Sequence, residues 1–341
     1  MNNTTCGTMT EILEDSKPLV SILMFLLGLF GNLLALVILG VHRKELRTKS
    51  SVFCILVTGL TVTDLLGTCF LSPIVFVEYA KKKSMIGLAG DHSLCDLFSS
   101  AMIFFGLAPT LILCAMAVER CLAISYPYYY SQYISRGYAK TVLPVVYAFS
   151  AVFCALPLVG LGQHKQYCPG TWCFVQMKSQ DPAVAAFSLL YAGLIAFLIV
   201  AILLCNASVI VSLGKMHRGQ RTRRGSVLGS QRRRKSVFGQ REEEVDHLIL
   251  LALMTTIFGI CSLPLTIRGF VNVIRPDNND AKDLVAFRFY SLNPIVDPWL
   301  FILFRKSMFR TIQQLLCCCF SASLTRSNLQ EPLKHQSISL C

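Results

Sequence analysis

Seven long apolar runs restrict this chain to folds that cross a membrane. Five of the runs carry no charge, and the other two carry only one or two charged residues each. About 20 apolar residues in a helix span a bilayer core. Backbone polar groups in lipid must be satisfied within the segment, which excludes open sheet. The runs cover residues 19–41, 50–77, 97–118, 141–162, 182–214, 248–267 and 284–304. They predict an all-α membrane protein, a seven-transmembrane helix bundle.

The composition supports this class and excludes others. Hydrophobic residues make up 54% of the chain and charged residues only 15%. A soluble domain carries about 25% charged residues. An ordinary soluble enzyme, a disordered chain and a collagen are therefore excluded.

The distribution of Lys and Arg predicts the orientation of the chain. With the N-terminus outside, the cytosolic loops and tail hold 21 of these residues and the outer segments hold eight. Cytosolic loops of membrane proteins carry such an excess. We expect a plasma-membrane protein with an extracellular N-terminus and a cytosolic C-terminus. The formal net charge of +13 then requires no nucleic acid partner. The first run is too long and too late in the chain for a cleaved signal peptide.

The predicted organisation has four parts. They are an extracellular N-terminus at 1–18, the bundle at 19–304, a short amphipathic helix at 305–316 after the seventh span, and a cytosolic tail at 317–341. In the third part, Phe309, Ile312 and Leu316 share one helical face, which is typical of a helix lying on membrane lipid.

Three kinds of covalent modification are predicted outside the bundle. Two overlapping sequons predict glycosylation in the N-terminus. Two basic clusters before a serine suit a cyclic-AMP-dependent kinase, although a solvated basic loop on an anionic leaflet is an alternative. Cysteines directly after the amphipathic helix predict palmitoylation. The modified residues would be Asn2 and Asn3, Ser226 and Ser236, and Cys317, Cys318 and Cys319.

Five ionisable residues, Arg288 among them, lie inside or at the end of spans, where a charge costs about 2.5–3.5 kcal/mol at the bilayer centre. Asp64 and Asp297 form either a polar network that rearranges on activation or a static hydrogen-bonded plug. Glu119 and Arg120 end the third span. Arg120 either extends to the interface or is held by an acid at rest and released to meet a partner protein.

Arg288 is the charge most informative about function. It lies ten positions before Pro298, which is about 15 Å along a helix toward the outer side. A buried guanidinium needs a partner, and its planar fork suits a carboxylate. The candidates are Glu78, at the outer end of the second span, and a carboxylate of the ligand. The outer half of the third span holds no acid for an amine ligand. Arg268, a second cation, is expected to reach solvent.

The chain has 15 cysteines, but only those on the outer side of the membrane are expected to form disulfides. Four fall on the predicted outer side, which allows three pairings. The remaining cysteines lie in spans or on the cytosolic side. The outer four are Cys6, Cys95, Cys168 and Cys173.

Five motifs resemble those of rhodopsin-like G-protein-coupled receptors. They are Gly31-Asn32, Leu60…Asp64, Glu119-Arg120-Cys121, Cys261-Ser262-Leu263-Pro264 and Asp297-Pro298-Trp299-Leu300-Phe301. Cys121 and Phe301 stand where that family has Tyr, and Ser262 stands where it has a switch Trp. Prostanoid receptors share these departures.

Two further stretches resemble prostanoid receptors specifically. One is the second outer loop, Gln166-Tyr167-Cys168-Pro169-Gly170-Thr171-Trp172-Cys173-Phe174. The other is the seventh span from Arg288 to Trp299. Residues 117–123, 161–164 and 301–306 are most similar to the prostacyclin-binding members of the cyclic-AMP-raising branch. Prostaglandin E2 and D2 are the alternative ligands.

The resemblance implies a ligand site and a disulfide pattern. The carboxylate of a prostanoid would meet Arg288, Thr171 and Tyr79. Phe98 and Met102 would line the body of the pocket, or only pack between helices. Trp172 would cap the ligand or only anchor its loop. The favoured disulfides are Cys95–Cys173, and Cys6–Cys168, which would hold the N-terminus over the second outer loop.

The resemblance also implies partners and an activation mechanism. Ligand binding would open the cytosolic ends of the fifth and sixth spans to a Gs heterotrimer, with arrestin and receptor kinases as further partners. Pro264 would kink the sixth span because it removes a helical hydrogen bond. The residues with expected switch roles are Asp64, Glu119, Arg120, Pro264, Asp297 and Pro298.

The rival class is a transporter or channel, which would need a polar pathway or internal repeats. Seven spans do not divide into two halves, and the ionisable residues do not line one helix. An enzyme is weaker still, because the six histidines lie in loops or at span ends without metal-ligand spacing. No cofactor and no metal site are expected.

Overall fold

We analysed the chain in a computed structural model. The structure describes residues 6–13, 17–45, 52–134, 136–223, 231–275 and 280–304. Several predictions lie outside this part of the chain: the sequons at Asn2 and Asn3, Ser226, the amphipathic helix at 305–316, and Cys317 to Cys319 in the tail. Ser236 lies in a described helix, but its side chain is outside the description.

The described chain is almost entirely helical, as the apolar runs predict. Each long helix overlaps one of those runs, and most of the long helices extend beyond it into polar flanks. The helices are α1 (Leu19–Glu45), α2 (Val52–Lys81), α3 (Met85–Ala89), α4 (Ser93–Ser125), α5 (Pro127–Tyr133), α6 (Arg136–Ala155), α7 (Pro182–Arg223), α8 (Gln231–Ile274), α9 (Asp280–Tyr290) and α10 (Asn293–Phe304).

The long helices pack as a seven-helix bundle around α4. Helix α4 contacts α2, α6 and α7, while α1 packs on α2 and α10, and α8 packs on α7, α9 and α10. Within the described part of the chain, six helices are long and apolar enough to cross a membrane. Many apolar side chains on their outward faces are exposed, including Val152, Phe197 and Leu204. Because no water-soluble fold leaves such faces uncovered, this is a surface for lipid.

The seventh span is broken rather than continuous. Helix α9 ends at Tyr290 and α10 begins at Asn293, so neither half alone has the length of a span. Pro294 lacks a backbone N–H and disfavours helical geometry in the residue before it. At the break, the Leu292 N–H bonds to the Phe289 carbonyl three residues earlier, a tighter turn than in an α-helix.

The fourth span also ends differently from the sequence expectation of 141–162. Helix α6 stops at Ala155 and continues as one 3₁₀ turn, Leu156–Val159. Pro157 cannot donate a hydrogen bond to continue the α-helix. Gly160 then adopts a φ of 91°, which favours glycine and turns the chain away.

A β-hairpin covers one end of the bundle, which we call the disulfide end. Strands β1 (His164–Tyr167) and β2 (Trp172–Val175) pair antiparallel, with His164 opposite Val175. A disulfide joins Cys95, at the start of α4, to Cys173 in β2. A second joins Cys6 to Cys168 in the hairpin loop. We call the opposite end of the bundle the Arg120 end.

Candidate functional site

A deep cavity opens at the disulfide end between α1, α2, α4, the hairpin and α9. It contains about 1260 Å³ of atom-free space, its open mouth included. Its walls are mostly apolar, and Asp64 lies at its inner limit. All six residues predicted for the ligand lie on its walls, namely Tyr79, Phe98, Met102, Thr171, Trp172 and Arg288.

Arg288 reaches the cavity, and the part of the chain that the structure describes offers it no acidic partner. Its side chain is exposed, and among the described residues no carboxylate lies within ion-pair distance of it. The alternative partner, Glu78, is fully buried, and neither of its carboxyl oxygens has a hydrogen-bond partner in the described chain. The guanidinium is therefore the cation that an acidic ligand would meet in this cavity.

Trp172 both lines the cavity and anchors the hairpin. Its indole stacks on Tyr167 with 4.6 Å between ring centroids and on Phe287 with 4.3 Å, both at 19°. Its Nε1 donates to the Cys168 carbonyl at 2.9 Å. Because Phe287 precedes Arg288, this stack fixes the hairpin against the helix that carries the arginine.

Gln166 connects three segments at the disulfide end and is a residue that the sequence reasoning missed. Its buried Oε1 accepts the Ile86 N–H at 3.1 Å. Its Nε2 donates to the carbonyls of Cys6 and Met9, both at 3.0 Å. One amide thus holds the N-terminal segment and the α2–α4 connection against the hairpin, which carries Thr171. No pattern in the sequence distinguishes this glutamine from an exposed one.

The expectation that Arg268 reaches solvent is wrong. Its Nε donates to Asp283 Oδ1 at 2.6 Å, and Lys178 Nζ lies 3.0 Å from both Asp280 and Asp283. Asn272 also donates to Asp283, at 2.9 Å. This buried cluster satisfies Asp283, so its carboxylate is not available to Arg288.

A thiol-based metal site is excluded at the same cluster. Asp280 Oδ2 lies 3.6 Å from the Cys168 sulfur. Asp280, Cys168 and Cys6 form the only group of potential metal ligands found within the described ranges. Cys168 is bonded to Cys6, so neither sulfur is a thiolate.

His164 is buried near the Cys95–Cys173 disulfide. Its Nδ1 lies 2.9 Å from Asp96 Oδ1, its side chain is 1% exposed, and its Nε2 has no partner in the described chain. Burial lowers the pKa of His164 below its ordinary value of 6.5, and the opposing contact with Asp96 does not restore it. The imidazole is therefore neutral at physiological pH.

We expect the folded protein to lose stability as the pH falls below about 6.5, the ordinary histidine value. The sign follows because the unfolded chain then binds a proton at His164 that the folded chain does not. The measurement is the unfolding temperature of detergent-solubilised protein at pH 7.5 and pH 5.5. His164→Asn should reduce the difference, whereas His92→Asn, at an exposed position, should leave it unchanged. Equal pH dependence in all three proteins would contradict the assignment.

The two acids in the spans lie in one buried cluster near the centre of the bundle. Asp64 and Asp297 interact electrostatically, and no described group donates a hydrogen bond to either Asp64 oxygen. Asn32 nearby bonds across to the Pro294 carbonyl at 2.9 Å. Asp64 is therefore not part of a static hydrogen-bonded plug made from the described residues.

At the Arg120 end, Arg120 is buried and paired rather than extended toward an interface. Its guanidinium makes two hydrogen bonds to Glu119, one of 2.6 Å, and lies 5.1 Å from the ring centre of Phe53. Tyr130 of α5 donates to the same carboxylate at 2.6 Å. Helix α5 is thereby connected to this pair, a contact that the sequence reasoning missed.

The prolines of the switch motifs lie inside helices. Helix α8 runs through Pro264 and α10 through Pro298. Ser262, of the Cys261–Pro264 motif, is fully buried and accepts a hydrogen bond from Asn293 Nδ2 at 3.0 Å. A polar contact thus joins α8 to the break in the seventh span.

Comparisons with known proteins define the class. The sequence profile of the 7 transmembrane receptor (rhodopsin family) matches residues 31–301. The chain belongs to this family of G-protein-coupled receptors, whose members are receptors and not enzymes.

The similarity extends to one group within the family. The chain is 54% identical over 329 residues to the prostacyclin receptor of Rattus norvegicus, covering 96% of this chain and 76% of that protein. It is 53% identical over 330 residues to the prostacyclin receptor of Homo sapiens, covering 96% and 83%. The prostaglandin E2 receptor EP2 subtype of Homo sapiens is 44% identical over 329 residues, covering 93% and 90%. The chain is thus a multi-pass membrane receptor of the prostanoid receptor group.

A solved structure supports the same fold. Squid rhodopsin aligns with a TM-score of 0.69, covering 90% of this chain and 89% of that chain. The sequence identity is only 14%, so the likeness concerns the arrangement of helices and nothing finer.

Proposed function

We propose that this receptor binds a prostanoid carboxylic acid, prostacyclin in the first place, and activates a Gs heterotrimer that raises cyclic AMP. The observation that carries the proposal is that Arg288 has no acidic partner among the described residues and lies in an otherwise mostly apolar cavity. A fatty acid with an apolar body satisfies both properties, because its head group pairs while its chains bury against the helices.

The proposed pose places the ligand carboxylate between Arg288, Thr171 and Tyr79. The hydroxyls of Thr171 and Tyr79 would donate to the carboxylate oxygens that the guanidinium leaves unfilled. Phe98 and Met102 would contact the body of the ligand, and Trp172 would cover it.

The proposed orientation places the disulfide end outside the cell and the Arg120 end in the cytosol. The Lys and Arg distribution supports it. Arg120, released from Glu119, would then face the Gs heterotrimer, with arrestin and receptor kinases as later partners. Glycosylation at Asn2 or Asn3, phosphorylation at Ser226 or Ser236, and palmitoylation at Cys317, Cys318 or Cys319 remain predictions.

Prostaglandin E2 is the second candidate ligand, because EP2 receptors share 42–44% of residues with this chain. The test is cyclic AMP accumulation in cells that express the chain, dosed separately with a stable prostacyclin analogue, prostaglandin E2 and prostaglandin D2. We expect a response to all three at high dose, with the prostacyclin analogue effective at the lowest concentration. No rise in cyclic AMP with any prostanoid, at verified surface expression, would contradict the proposed coupling.

A further inference from the structure

A pair of buried tyrosines connects the ligand cavity to a helix that does not line it. The hydroxyls of Tyr290 in α9 and Tyr191 in α7 are hydrogen-bonded at 3.1 Å, and both side chains are almost fully buried. The Tyr290 hydroxyl also contacts the side chain of Thr110 in α4. Three helices therefore meet at one hydroxyl.

Only one of the two tyrosines belongs to the cavity wall. Tyr290 lines the ligand cavity, as does Gly106 of α4, whereas no part of α7 does. The Tyr290 hydroxyl lies so close to Gly106 that a Cβ added there would be 2.2 Å from the oxygen. The ring of Tyr290 thus forms part of the cavity wall and packs against α4 at Gly106, where no side chain stands in its way.

A second, smaller cavity lies on the other side of the tyrosine pair. Its walls include Tyr290, Tyr191 and Leu265, and it has room for only about one water molecule. The Ser188 hydroxyl lines it, is 2% exposed and has no hydrogen-bond partner in the described chain. Because packed cores switch between discrete arrangements, the Tyr290 ring can leave its place only when the side chains around this gap rearrange with it.

The Trp of the switch motif, an aromatic side chain that could pass ligand contact to the sixth span, is missing from the sequence. Ser262 stands at the position of the switch Trp, and its contact with Asn293 is a single hydrogen bond. A small side chain cannot transmit a push from the ligand by steric contact. Tyr290 is a large side chain of the cavity wall that contacts a helix outside the cavity.

We propose that the Tyr290–Tyr191 hydroxyl pair transmits ligand binding from the cavity to α7, with Tyr191 as a positioning residue that holds Tyr290 in its resting place. The inference rests on the proposed function, since it requires an agonist and a cyclic AMP response. Arg120 is paired with Glu119, which is the arrangement expected of the receptor without agonist. The tyrosine pair is therefore described in the resting receptor. Ligand contact with Tyr290 breaks the tyrosine pair, and the side chains around the second cavity repack, which frees α7 to move.

The test measures agonist affinity and signalling together. Tyr191→Phe removes one hydroxyl and touches no atom of the ligand cavity. We expect ligand-independent cyclic AMP to rise about three- to tenfold, as the loss of one hydrogen bond implies, and the affinity for a tritiated stable prostacyclin analogue to rise by no more than the same factor, because the agonist prefers the active arrangement. Tyr147→Phe is the matched control, because it removes a hydroxyl that bonds to Thr63 at 2.9 Å elsewhere in the bundle, and it should leave basal cyclic AMP unchanged.

A second variant tests the same inference from the opposite direction. Ser188→Val fills the small second cavity and should lower the maximal response about threefold or more, as expected when a bistable element loses one of its states, while agonist affinity falls or stays the same. Ala186→Val, at an exposed position of the same helix, is its control. If the parent receptor responds and both Tyr191→Phe and Ser188→Val match it in basal and maximal cyclic AMP, the inference is wrong. A parent that binds no labelled prostanoid would instead contradict the proposed function.

Discussion

Replacing Arg288 with alanine should reduce the potency of a prostanoid acid by roughly 30- to 4000-fold in the cyclic AMP assay. Removing one member of a hydrogen-bonded charge pair costs about 2–5 kcal/mol, because the other charge then remains unpaired in an apolar cavity. Among the described residues no other unpaired cation lines the cavity, so nothing there replaces the guanidinium.

The Arg288→Ala result needs a control for expression and one for charge. Surface receptor is measured in parallel with an antibody to an N-terminal epitope. Arg275→Ala removes an exposed arginine at the same end of the bundle and should leave potency unchanged. Arg288→Lys should recover only part of the loss, because an ammonium cannot make the two parallel bonds of a guanidinium.

The nature of the ligand gives a further control for the same variant. The methyl ester of the prostanoid keeps the apolar body but carries no negative charge. It should be weak at the parent receptor and about equally weak at Arg288→Ala. An acid that retains its parental potency at Arg288→Ala, at equal surface expression, would show that the carboxylate binds elsewhere.

Replacing Trp172 with alanine should have the second largest effect, on folding and on binding together. The indole is 2% exposed between Tyr167 and Phe287, and removing such a side chain costs about 3–5 kcal/mol. We expect a lower unfolding temperature for the solubilised receptor and a loss of surface receptor. The hairpin would also lose its fixed position over Arg288.

Trp172→Phe distinguishes the two roles of this residue. A phenyl ring keeps most of the stacking but cannot donate to the Cys168 carbonyl, so the expected cost is only about 1–2 kcal/mol. Phe289→Ala, which removes a half-exposed ring on the neighbouring helix, is the size control. An unchanged unfolding temperature for Trp172→Ala would mean that the stack does not anchor the hairpin.

The spans could be predicted from sequence because lipid leaves few alternatives for a long apolar segment. Their ends were less predictable, since Pro157 and Pro294 change the local geometry without changing the hydropathy. Lys and Arg counts favour an orientation, but they contain no information about how the helices pack.

The candidate site was predictable only where chemistry demands a partner. Arg288 was found because an arginine in a span needs an anion, and Tyr79 and Thr171 were added by resemblance to a family. Gln166 could not be found, because its three hydrogen bonds join segments up to 160 residues apart. Arg268 was misjudged for the same reason: its partner Asp283 lies on another helix, in a contact that depends on packing.

The most direct test of the account is the position of the ligand carboxylate in an experimental structure of the agonist-bound receptor. The account predicts that its two oxygens lie within hydrogen-bond distance of the Arg288 guanidinium, with Glu78 still apart from it. A structure in which Glu78 or another protein carboxylate occupies Arg288, and the ligand carboxylate binds elsewhere, would contradict the central claim.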